Sequence, residues 1–122
     1  MLKYFITLFG LVSLLLSSNS NLSFGDTLSS DDVFKYYANP ETKSTILLYM
    51  DGIGQGIGWA NVELNDGQKL YCPPKDKRFT AEDMFKLYRQ QYFKQKEIFD
   101  SLPYQPPAFI ILQGLINEYP CR

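Results

Sequence analysis

Apolar side chains recur at helical spacing in four stretches of this chain, separated by polar runs and prolines. The first is short. Ser30-Asp31-Asp32 reads as a helix start with Ser30 as N-cap and two acids in the first turn. Val33, Phe34 and Tyr37 form its apolar face, and Asn39-Pro40 ends it. A third stretch begins at Thr80-Ala81-Glu82-Asp83, a capping-box pattern with Thr80 as N-cap. Met84, Leu87, Tyr88 and Tyr92 follow as a stripe, and Lys86, Arg89, Gln90, Gln91 and Lys94 are assigned to the exposed side. That helix is expected to end near Lys96, with an irregular segment leading to Pro103. The last opens at Pro106-Pro107, where proline is tolerated in the first turn. Its expected core face is Ala108, Ile111, Leu112, Leu115, Ile116 and Tyr119. Phe109 and Ile110 widen that face, which makes this helix the one expected to be most buried.

The second stretch, Thr42 to Ala60, contains Gly52, Gly54, Gly56 and Gly58. Alternating glycines suggest a phosphate cradle, but the spacing fails. A dinucleotide turn starting at Gly52 or at Gly54 needs its third glycine where Ile57 or Trp59 stands. A P-loop needs glycine followed by lysine, and no glycine here has one. A strand would place all the glycines on one face. A helix instead gathers Ile46, Tyr49, Met50, Ile53, Ile57 and Ala60 on one stripe, with Asp51 and Gln55 pointing away. Gly54 and Gly58 flank that stripe on one side, Gly52 and Gly56 on the other, so both pairs are expected to admit a close helix neighbour. Between this stretch and the next, Asn65-Asp66-Gly67 is a turn and Cys72-Pro73-Pro74 a rigid stop.

The N-terminus changes the picture. Lys3 precedes an apolar run from Tyr4 to Leu16, and Ser23 and Gly25 stand at the spacing of a signal-peptidase site. Residues 1–25 are expected to be a signal peptide, leaving residues 26–122 as a single small domain without stable membrane insertion. In an exported protein Cys72 and Cys121 read as a disulfide, worth roughly 4 kcal/mol on a chain-entropy argument. The predicted fold is therefore all-α, a compact bundle of about four helices closed by one disulfide. The net charge of −1 makes neither nucleic acid nor an anionic membrane a natural partner.

Little in the sequence suggests catalysis. There is no histidine, which removes Ser-His-Asp and Cys-His arrangements. The paired acids Asp31/Asp32 and Glu82/Asp83 stand at helix starts, where the dipole accounts for them. No enzyme activity, metal or cofactor is expected. Aromatic residues make 16% of the chain, and Tyr36, Trp59, Phe85, Phe93 and Tyr104 fall outside the core stripes. Such a load suits either a protein interface or satellite core clusters.

Tyr71-Cys72-Pro73-Pro74-Lys75, a capped helix, and a last helix ending in Tyr119-Pro120-Cys121 resemble the Rap/Tai immunity proteins of bacterial type VI secretion. Tyr49 to Ile53 followed by Trp59-Ala60-Asn61 is similar to that family's second helix. The resemblance covers roughly residues 30–122. It departs in lacking a second cysteine pair in the first two helices, and a His-Pro near Lys96-Glu97. The resemblance implies a periplasmic protein that binds and inhibits a cognate peptidoglycan amidase; separately, a homodimer is among the expected partners. Glu63, Asp66, Gln68 and Lys69 are the expected partner-binding residues, with Tyr71 as an anchor. A different class of function, an exported carrier of a lipid or other apolar ligand, is the alternative.

Overall fold

The computed structural model describes residues 28–103 and 105–122. The expected signal peptide, residues 1–25, lies outside the described residues, as does Tyr104. Five α-helices follow in order: α1 (Ser30–Ala38), α2 (Lys43–Glu63), α3 (Ala81–Lys94), α4 (Lys96–Ser101) and α5 (Pro107–Glu118). A 3-10 turn, Asp66–Gln68, lies between α2 and α3, and no strand occurs among the described residues. The all-α bundle with its disulfide is as expected, with one helix more.

The extra helix is α4, where an irregular segment was expected. The chain breaks step at Gln95, whose carbonyl then accepts from the N–H groups of Ile98 and Phe99, each at 3.0 Å. Phe99 is buried and stacks on Tyr92 at a 6.2 Å centroid distance, so apolar contact holds this short helix to α3. Lys96 pairs with Asp100 along its outer side.

Helix α3 is the centre of the bundle and packs against α2, α4 and α5. Its capping box forms as predicted: the Thr80 hydroxyl accepts from the Asp83 N–H at 3.1 Å, and the Asp83 carboxylate accepts from the Thr80 N–H at 2.9 Å. Met84, Leu87, Tyr88 and Tyr92 are buried, and so are Phe85 and Gln91, two residues that the periodicity left outside. Phe85 stacks flat on Tyr37 of α1, centroids 3.5 Å apart. Gln91 donates to Gln95 and accepts from Asn117 of α5, which satisfies an amide that would otherwise be costly to bury. At the closest approach of α3 and α5, a β-carbon on Gly114 would lie 3.3 Å from the Leu87 carbonyl oxygen.

Two helices are set differently from expectation. On α5 the buried residues are Pro107, Ile110, Ile111, Gly114 and Leu115, whereas Ala108 is exposed. The core face is rotated, because Gly114 turns its bare side to α3. On α1 the N-cap is Ser29, whose hydroxyl accepts from the Asp32 N–H at 3.1 Å. Ser30 is instead a buried first-turn residue, donating to Gln105 at 2.7 Å and accepting from the Tyr88 hydroxyl at 2.8 Å.

Candidate functional site

The glycine helix α2 carries charge only at Lys43, Asp51 and Glu63 along its whole length. Ile46 and Met50 are buried and Ile53 and Ile57 half-buried, whereas Tyr49 and Ala60 are exposed, so the predicted stripe faces the core only in part. The flanking glycines behave in two ways. A β-carbon on Gly54 would meet Met84 of α3 at 2.5 Å, which is the close approach expected. Gly52 and Gly56 have nothing within 4 Å of a β-carbon position, so the second expected helix contact does not occur.

Gly58 opens onto a groove of about 500 Å³ between α2, the start of α3 and the connection from Lys69 to Phe79. Its walls are Trp59 and Val62 on one side and Phe79 and Met84 on the other, with Gly54 and Gly58 leaving the space between. A volume of this size is in the range of ligand-binding clefts. Trp59 is 68% exposed and Val62 60%, so a large apolar rim stands in water. Asp51 lies on the same helix edge, held by the Gln55 amide at 2.6 Å.

The connection that forms the other wall is fixed by a residue that the hydrophobic pattern did not single out. Asn61, buried in the last turns of α2, donates to the Tyr71 carbonyl at 2.9 Å and accepts from the Leu70 N–H at 2.8 Å. The Lys69 ammonium donates to the carbonyl of Leu64 at 3.1 Å, covering the C-terminal end of α2 where a cation is favoured. Three residues on, Cys72 is bridged to Cys121 across a separation of 49 residues, and its N–H donates to the Tyr119 carbonyl at 2.7 Å. Both ends of the wall are therefore tied to the helices.

The residues expected to meet a partner are dispersed by this geometry. Glu63 closes α2 and is exposed, and Asp66 and Gln68 lie in the exposed 3-10 turn. Lys69 is half-buried against the α2 carbonyls, with Asp66 at 3.9 Å. Tyr71 is not a surface anchor: it is 4% exposed, its ring sits in the core, and burial pushes its hydroxyl pKa up. The groove residues Gly58, Trp59, Val62 and Lys77 were not singled out as a site. Their one signal in the sequence was an apolar i, i+3 pair, Trp59 and Val62, on a helix nearly without charge.

No family model, curated protein or solved structure matches the chain. This corrects the expectations drawn from the N-terminus and from the resemblance. Signal peptide, periplasm, type VI secretion, immunity protein and amidase inhibitor gain no support as descriptors of this chain, whereas helical bundle and disulfide bond stand on the structure.

Proposed function

We propose that the chain is a protein-binding module that acts by occupying a partner. The observation that carries this is the exposed pair Trp59 and Val62 beside an open apolar groove, on a helix face almost free of charge. Aromatic side chains at such positions are typical of binding hot spots, and large exposed apolar patches are rare on proteins that work alone. The disulfide suits an oxidising compartment. The rigid wall behind the groove lowers the ordering cost of association.

The first partner class to test is a cell-wall amidase, a choice that rests on the cysteine-proline resemblance alone. The purified protein would be titrated against wall-cleaving amidases of the same organism. The expected result is saturable one-to-one binding that lowers amidase activity. Trp59→Ala should weaken it by about 2 kcal/mol or more, with the helical spectrum unchanged. Charge reversal at Glu63 and Asp66 should slow association and matter less at high salt. Binding that survives all three changes would remove this face from the function. An absence of any protein partner, together with tight uptake of a fatty acid, would replace the module with a carrier.

A further inference from the structure

The floor of the groove carries a tyrosine hydroxyl. Tyr71 is buried to all but 4% of its surface, and its hydroxyl is the end that faces the groove. That hydroxyl lies 3.8 Å from where a β-carbon on Gly58 would be, so it looks into the space the glycine leaves open. Buried hydroxyls are ordinarily satisfied. The other buried tyrosines of α3 obey this: Tyr88 donates to Ser30 at 2.8 Å, and Tyr92 to Asp100 at 2.6 Å. The Tyr71 hydroxyl instead reaches solvent through the groove, where an occupant could accept its hydrogen bond in place of water.

Charge on the groove's loop side is mainly basic. The stretch 69–78 carries Lys69, Lys75, Lys77 and Arg78 against the one acid Asp76. Lys69 and Lys77 line the groove itself. Lys77 is held only by Asp83 at 3.7 Å and lies over the Phe79 ring, an exchangeable pairing near the surface. Lys75 and Arg78 are exposed and form no ion pair among the described residues. On the opposite wall Trp59 and Val62 offer apolar surface, and Asp51, held by the Gln55 amide, is the one acid lining the groove against Lys69 and Lys77.

We infer that the groove receives an apolar side chain from an acidic polypeptide segment, whose backbone accepts a hydrogen bond from the Tyr71 hydroxyl. The width of the exposed apolar rim favours a polypeptide over a small molecule, which would be enclosed more fully. The basic wall selects acidic flanks on the occupant. This inference rests on the reading of the chain as a protein-binding module, and it names the site and the chemistry of the partner.

The test uses a defined probe, the peptide acetyl-Asp-Leu-Asp-Phe-Asp-Leu-Asp-amide, and the purified protein. Trp59 is the chain's one tryptophan, so its fluorescence reports on the groove directly. A saturable fluorescence change is expected, weaker at high salt. It should be absent for the same peptide with lysine in place of aspartate, and for one with serine in place of leucine and phenylalanine. Gly58→Leu puts a side chain into the groove and should weaken binding at least about tenfold. Its melting temperature should not fall, since only the Tyr71 hydroxyl is near. Tyr71→Phe should weaken binding about fivefold, as expected for one neutral hydrogen bond, and leave the fold intact because no internal bond is lost. Gly52→Leu, on the open side of α2, should leave binding unchanged.

Equal binding of the lysine peptide overturns the inference, and so does binding that Gly58→Leu and Tyr71→Phe leave unaltered. Tighter displacement of Trp59 fluorescence by decanoate than by the acidic peptide overturns it in favour of a lipid site. A partner protein that binds wild type and Gly58→Leu equally ends the groove assignment while leaving the protein-binding function in place.

Discussion

A β-carbon on Gly54 would lie 2.5 Å from the Met84 sulfur, so α2 meets α3 at a point where α2 has no side chain. Met84 is itself buried, and it fills the place that a larger residue at position 54 would need. The bare Gly54 thereby leaves room for the Met84 side chain, and both residues line the groove.

Gly54→Leu is expected to cost about 1–3 kcal/mol of stability through overpacking. Gln55→Leu, one residue on and exposed, should change stability by no more than about 0.5 kcal/mol. Denaturant midpoints measured side by side decide the matter. Equal tolerance at both positions would disprove the contact between α2 and α3.

The open glycines should respond in the opposite sense. With nothing within 4 Å of either β-carbon position, Gly52→Ala and Gly56→Ala remove only backbone freedom. Each should stabilise the isolated protein by up to about 1 kcal/mol. A loss of stability in thermal melts would mean that a neighbour covers this face.

The Cys72–Cys121 bridge is expected to contribute about 2–4 kcal/mol. Cys72→Ser should lower the melting temperature in oxidising buffer and have little effect once reductant is present. Titratable thiols in freshly purified protein would contradict the bridge.

Asn61 is expected to be the most sensitive polar residue of α2. Replacing it with alanine leaves the Leu70 N–H and the Tyr71 carbonyl without their partner, at a cost of about 1–3 kcal/mol. Hydrogen exchange at the Leu70 amide should accelerate far more than at the Cys72 amide, which the Tyr119 carbonyl holds independently. Uniform acceleration would show global unfolding instead of release of the groove wall.

Alkaline stability should depend on Tyr88. Burial pushes its hydroxyl pKa up to about 12. The unfolded chain therefore ionises first as pH rises past 10. The stabilisation is complete below pH 10 and is lost progressively towards pH 12, a change on the order of 2–3 kcal/mol. Tyr88→Phe, which also removes the hydrogen bond to Ser30, should start less stable but lack this decline. Parallel pH curves for the two proteins would place the titration elsewhere.

The sequence by itself determined where α3 begins and that Cys72 and Cys121 are joined. Thr80 and Asp83 cap α3 through groups three residues apart, and such local bonds need no knowledge of the rest of the chain. The 3.6-residue period placed Met84, Tyr88 and Tyr92 correctly for the same reason. Tertiary structure alone decided which glycines are packed, because a residue without a side chain carries no hydrophobic signature of its facing. It also decided the fate of polar groups: Gln91 is buried because Asn117, 26 residues away, completes its hydrogen bonding. Tyr71 passed from expected surface anchor to groove floor because Asn61 pulls the chain on either side of it against α2. Burial of a polar residue depends on partners distant in sequence, and periodicity within one helix does not encode them.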